Sequence, residues 1–128
     1  MIEQYFLVMT FRDWLFRLCE TESPDHTIIA YHFGLFEREN GFAIYLIGSS
    51  EFKIDDEDWA IRNDFEPADK YFMLSESRYE GLSSELALQA ITEELSNFTK
   101  TENFRNSYFA GAKAITTAFD TGDLILIK

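Results

Sequence analysis

The sequence contains a single cysteine, Cys19, so no disulfide can form within the chain. A chain without disulfides fits a reducing compartment, and the residues after Met1 lack the basic start of a secretory signal. No uninterrupted apolar run approaches the roughly 20 residues that a membrane-spanning helix needs. These absences predict a cytoplasmic protein that does not enter a membrane.

Basic side chains are scarce, since 11 Lys and Arg stand against 23 Asp and Glu and give a net charge of −12. Such a charge repels nucleic acids and anionic lipids, and it steers a protein toward basic partners. Residues 51–80 hold ten acids and four bases, so this segment carries half of the excess charge. We therefore expect a basic protein as partner and no binding of nucleic acid.

Residues that commonly carry catalysis are also few. The two histidines, His26 and His32, are six residues apart, which on a strand is roughly 20 Å and too far to share a metal ion. Cys19 lies among apolar residues without a cue for thiolate activation, and neither a Gly-x-Ser-x-Gly elbow nor a phosphate-binding glycine loop is present. The sequence predicts no catalytic residue, metal site or cofactor, and it favours a binding protein over an enzyme.

What the chain has in quantity is apolar and aromatic side chains. Hydrophobic residues make up 46% of its 128 positions, and 13 of them are Phe. This length and composition are enough for one hydrophobic core without metals or disulfides. Because no repeat or linker is visible, we predict one domain over residues 1–128.

Local patterns predict the order of the elements. Alternating apolar residues indicate two central strands at 27–36 and 42–47, joined by a turn at 37–41 that contains Asn-Gly. The other predicted elements are helices at 2–21, 84–100 and 103–119 and strands at 51–54, 59–61, 70–74 and 124–127. Such an order predicts an α+β fold with an antiparallel or mixed sheet of about four to six strands, packed against the three helices and completed by the final strand.

Residues 51–66 combine seven acids with interleaved aromatic and aliphatic side chains. Binding surfaces often pair aromatic anchors with a charged rim. A partner-binding surface is therefore predicted with Trp59 as its anchor and with acids around it, namely Asp55, Asp56, Glu57, Asp58, Asp64 and Glu66. The alternative is an edge strand and solvated loop whose charges prevent sheet-edge pairing, with Trp59 in the core.

Two other hypotheses belong to different classes. A small-molecule binder or an unfamiliar enzyme would have a pocket between sheet and helices, lined by Tyr31, His32, Tyr45 and Tyr108. A structural subunit would assemble with itself through the broad apolar face of the first helix.

The size, the acidity and several segments of the chain resemble a known group of proteins. These segments lie at residues 28–37, 45–48, 58–60 and 63–67. They resemble the small immunity proteins of bacterial toxin–immunity systems, and also small conserved bacterial proteins without an assigned function. The resemblance implies one-to-one inhibition of a toxin, commonly a basic nuclease.

Overall fold

A hairpin of two strands, β1 (Ala30–Arg38) and β2 (Gly41–Ser49), forms the centre of the molecule. In the computed structural model, which describes residues 9–39, 41–120 and 122–128, the two strands pair antiparallel with Phe33 opposite Leu46. Gly41 has a φ of +148°, which residues with a side chain rarely adopt, so it suits the end of the turn. The predicted hairpin is confirmed, and both strands run two residues past their predicted ends.

The sheet has five strands in the order β3-β2-β1-β4-β5. The added strands are β3 (Tyr71–Leu74), β4 (Ala114–Phe119) and β5 (Ile125–Leu126). β4 runs parallel to β1, while the other neighbouring strands are antiparallel. The α+β class and the mixed sheet are confirmed, and the final strand lies at one edge with β3 at the other.

The first helix, α1 (Phe11–Thr21), begins later than predicted because Thr10 caps it. The Thr10 hydroxyl accepts from the Asp13 backbone N–H at 3.1 Å, and the Asp13 carboxylate accepts from the Thr10 N–H at 3.0 Å. This reciprocal pair fixes the start of a helix. Met9 therefore precedes α1, and the part of the predicted helix at residues 2–8 lies outside the described residues.

The apolar side of α1 packs on one face of the sheet. Trp14 has no exposed surface, and its ring centroid lies 5.6 Å from that of Phe72 and 6.2 Å from that of Phe33. Its Nε1–H donates to the Asp69 carbonyl at 3.0 Å. The side of α1 that could have met a second copy is thus covered within the chain.

The second long helix, α2 (Ser84–Phe98), is confirmed at its predicted start and ends two residues before its predicted end. The Ser83 hydroxyl accepts from the Leu86 N–H at 3.2 Å, and Ile91, Leu95 and Phe98 are buried. No helix among the described residues is long and apolar enough to cross a bilayer.

The helix predicted over residues 103–119 is wrong. The chain forms a short helix α3 (Glu102–Arg105) and a 3₁₀ helix (Tyr108–Gly111), and then enters β4. Ile115, Thr116 and Thr117 are β-branched, which favours a pleated strand over a helix. The Thr117 hydroxyl also donates to the Phe33 carbonyl at 2.8 Å. Pairing with β1 therefore outweighs the helical spacing of the apolar residues.

Residues 50–66, here called the strap, cover part of the second face of the sheet with Trp59 and end beside β2, where the Phe65 ring packs against Tyr31. The strap contains a 3₁₀ helix (Glu57–Ile61), so the strands predicted at 51–54 and 59–61 are wrong. The Asp56 carboxylate accepts from the Asp58 N–H at 3.0 Å, and such local bonds favour turns over extended chain. Near its end the strap is held by the Gly48 N–H, which donates to the Phe65 carbonyl at 2.8 Å.

Candidate functional site

Trp59 fastens the strap to the sheet. Only 4% of the residue is exposed, and it clusters with Ala30 and Ala114, whose small side chains leave room for the indole. Phe52 meets its ring edge-on at 5.2 Å. The predicted surface anchor is therefore a buried side chain in this structure.

Asp64 and Glu66 hold the end of the strap. The Asp64 carboxylate accepts from the Ser50 N–H at 2.9 Å and from Arg62 Nε at 3.0 Å, and these bonds lower its pKa to about 2. Glu66 accepts from the Asn63 side chain at 2.6 Å and from Lys70 Nζ at 3.2 Å, which also lowers its pKa. Both acids contact groups of their own chain rather than facing solvent alone.

The four acids at the start of the 3₁₀ helix have two different positions. Asp56 is half-buried and serves as the cap described above. Asp55, Glu57 and Asp58 are exposed, and none of them forms an ion pair within the described ranges. Glu57 makes one long contact, 3.4 Å, with the Leu124 N–H. These three exposed carboxylates give the strap its outward negative charge.

The four side chains predicted to line a pocket lie on opposite faces of the sheet. Tyr31 and Tyr108 pack together on the helix face with centroids 5.6 Å apart, and Tyr31 is 2% exposed. His32 and Tyr45 pack together on the strap face at 6.1 Å. Successive residues of a strand point to opposite faces, so one pocket does not collect all four.

Three aromatic rings lie beside the strap where the sheet is left open. Phe36, Tyr45 and Tyr71 come from β1, β2 and β3, and each pair of ring centroids is 6.1 Å apart. Tyr71 is 57% exposed, while Phe36 and Tyr45 are half-buried. We call these three rings the aromatic platform.

A groove of about 370 Å³ runs along the platform and the strap. Its walls include Ile61, which is 81% exposed, together with Lys70 and Asp120. An adjoining depression of about 290 Å³ shares Tyr45, Ile61 and Asp120 and adds Glu57 and Asp58. The two form one continuous surface, here called the groove, with an aromatic floor and acidic walls.

The charges around the groove favour a cation. Asp120 has no ion-pair partner among residues 9–39, 41–120 and 122–128. Burial, followed by the Asp120 charge, raises the pKa of Tyr45, so this carboxylate acts on the platform itself. The chain already places one cation here, since Lys70 Nζ lies 5.3 Å from the Tyr71 centroid and 6.0 Å from that of Tyr45. Such distances are typical of a favourable cation–π contact.

His32 lies below this surface and is 6% exposed. Its Nδ1 is 2.9 Å from the Thr116 hydroxyl, and burial lowers its pKa to about 4. The imidazole is therefore neutral near pH 7 and ties β1 to β4. Burial also raises the pKa of the Cys19 thiol, which keeps that group protonated.

Sequence reasoning found His32, Tyr45, Glu57 and Asp58 but missed other residues that form the groove. Phe36, Ile61, Tyr71 and Asp120 come from four separate segments, and only the register of β1, β2 and β3 brings the rings together. The available signal was strand parity: Phe36 shares a face with His32, and Tyr71 lies opposite Tyr45.

A larger depression, about 830 Å³, runs along the outer side of α2 as far as Ile125. Most of its lining residues are of polar type, with Glu85, Glu93 and Lys100 spread along the helix. No aromatic ring lines it. The groove therefore offers the more specific chemistry.

Replacing Gly34 with alanine is expected to disturb the platform. A Cβ at this position would lie 2.2 Å from Tyr45 Cζ, so the ring must leave the sheet surface. We expect a loss of about 1–3 kcal/mol in the free energy of unfolding, measured by chemical denaturation. Gly111→Ala is the matched control, because a Cβ there meets no atom within 4 Å. The loss caused by Gly34→Ala should nearly vanish in a Tyr45→Ala background. An equal loss in that background would contradict a clash with the Tyr45 ring as its cause.

Within the described part of the chain, no three His, Cys, Asp or Glu side chains converge as metal ligands would. Comparison with known proteins finds no matching family model, no matching curated protein and no matching solved structure.

Proposed function

We propose that this protein is a cytoplasmic, acidic interaction module that binds a basic protein through the groove. The observation that carries the proposal is an aromatic platform left open on the sheet beside acids that have no ion-pair partner in the described residues.

Apolar contact and charge act together at this surface. Ile61 and Tyr71 both line the groove and are 81% and 57% exposed, and neighbouring exposed apolar side chains of this kind mark interaction sites. Ring faces attract cations, and a charged rim raises the association rate with a partner of opposite sign. A net charge of −12 extends that attraction beyond the contact itself.

The most specific form of the proposal is inhibition of a basic toxin or nuclease. A nuclease holds the phosphates of its substrate in a basic cleft, and a surface with grouped carboxylates competes for such a cleft. The exposed acids Glu57, Asp58 and Asp120 surround a groove that also supplies aromatic contact area. Aromatic contacts at the centre of an interface commonly carry much of its affinity.

Neutralising three groove acids is expected to slow association with the basic partner. The variant is E57Q/D58N/D120N, and Asp56 is left intact because it caps the 3₁₀ helix. The partner is first identified by affinity capture from native lysate, and association rates are then measured with the purified pair at low and moderate salt. We expect an association rate lower by about tenfold and a weaker dependence on salt.

The control variant E20Q/E80Q/E93Q makes the same change in net charge outside the groove. Its three acids are exposed residues on or beside the helices. It should leave the association rate within about threefold of the unaltered protein, since distant charges contribute little at moderate salt. An equal effect of both variants would mean that the partner responds to net charge alone and would contradict binding through the groove.

A further inference from the structure

We infer that the groove recognises an arginine side chain of the basic partner, which stacks on the aromatic platform and pairs with Asp120. This inference rests on the proposed function and adds the chemistry of its central contact.

The spacing of the platform rings leaves only their outer faces for a cation. With every pair of centroids 6.1 Å apart, the rings touch one another and leave no gap that a bulky ammonium group could enter. A cation must therefore lie on the outer faces of the rings. A guanidinium is planar and stacks on such a face while its N–H groups still point to a carboxylate.

Asp120 is placed to receive those N–H groups. Its charge raises the pKa of Tyr45, after the larger effect of burial, and it lines both parts of the groove. A carboxylate accepts two parallel bonds from a guanidinium, which a lysine ammonium does not supply. One arginine can thus use the platform and the acid together.

Lys70 shows that the platform holds a cation, and it also limits the space for a second one. Its ammonium stands over Tyr71 and Tyr45 and is held in place by Glu66, 3.2 Å away. An arriving guanidinium meets a like charge there. Lys70→Met should therefore strengthen arginine binding. If Lys70 instead formed part of the binding surface, the same substitution would weaken arginine binding.

The test uses three capped tetrapeptides, of arginine, lysine and citrulline, with binding followed by calorimetry and by the NMR signals of the tyrosine rings. We expect tetra-arginine to bind about three- to tenfold more tightly than tetra-lysine, and tetra-citrulline not to bind. Asp120→Asn and Tyr71→Ala should each weaken tetra-arginine binding by about fivefold. Glu93→Gln, which removes the same charge from α2, should leave it unchanged.

Two outcomes overturn the inference. One is equal binding of tetra-arginine and tetra-lysine, and the other is tetra-arginine binding that survives both Asp120→Asn and Tyr71→Ala. If E57Q/D58N/D120N still slows association with the captured partner in either case, the proposed function stands and only the arginine contact fails. If that triple variant has no effect on the partner, the proposed function fails as well.

Discussion

Trp14→Ala is expected to lower the free energy of unfolding by about 3–5 kcal/mol, the usual range for a large aromatic removed from a core. The indole has no exposed surface and lies against Phe11, Phe33 and Phe72. Its N–H also donates to the Asp69 carbonyl, which lies just before β3. One side chain therefore joins α1 to the sheet and to the chain entering β3. Chemical denaturation measures the loss.

Trp14→Phe is the matched control, because it keeps a ring in the core and removes the indole N–H. We expect it to cost about 1–2 kcal/mol, from the lost hydrogen bond and some volume. A loss below about 1 kcal/mol for Trp14→Ala would contradict the docking of α1 on the sheet. An equal loss for both variants would assign the effect to the hydrogen bond rather than to packing.

A loss of stability in mild acid is the second large effect, and it is expected to come from His32. Burial lowers its folded-state pKa to about 4 from an ordinary value of 6.5. Because the folded value is the lower one, the unfolded chain takes up a proton first as the pH falls. The contribution of neutral His32 to the free energy of unfolding is therefore complete above pH 6.5 and is lost as the pH falls toward 4. Its full size is roughly 3 kcal/mol.

The difference between the unaltered protein and His32→Gln isolates this contribution, since the carboxylates are common to both. The free energy of unfolding is measured for both proteins at pH 8, 6, 5 and 4. As the pH falls, the value of the unaltered protein should approach that of the variant or drop below it. His26→Gln is the control, because that side chain is 94% exposed, and its pH profile should match the unaltered protein. Parallel profiles for His32→Gln would contradict the assignment.

The hairpin and α2 were predictable because their patterns are local. Tyr31, Phe33 and Leu35 alternate with residues of the other face, and the Ser83 cap precedes a regular apolar stripe. Such signals depend on a few neighbouring residues, so they survive in the folded chain.

Residues 103–119 show where local pattern fails. Phe104, Tyr108, Ala112, Ile115 and Phe119 recur at helical spacing, yet Ile115 and Phe119 belong to a strand. What decides between the two structures is a free edge of β1, which accepts β4 in parallel register. No window of the sequence around residue 115 contains that partner.

The candidate site was only partly predictable for the same reason. The acids of the strap were visible in the sequence. The residues next to Trp59 in the sequence, however, are the same whether its side chain points outward or into the sheet. Its burial depends on the small side chains of Ala30 and Ala114, which are far away in the chain. The platform likewise requires the register of three strands.

The parallel pairing of β1 with β4 also bears on how the molecule folds. Contacts such as His32 to Thr116 join residues 84 positions apart, whereas the β1–β2 hairpin closes within a single turn. Closing long loops slows folding, so the hairpin should form early and β4 should dock late. Until Ala114–Phe119 arrives, β1 presents a bare edge flanked by apolar faces, which favours pairing between chains. Aggregation during refolding should therefore depend on how quickly this one strand is inserted.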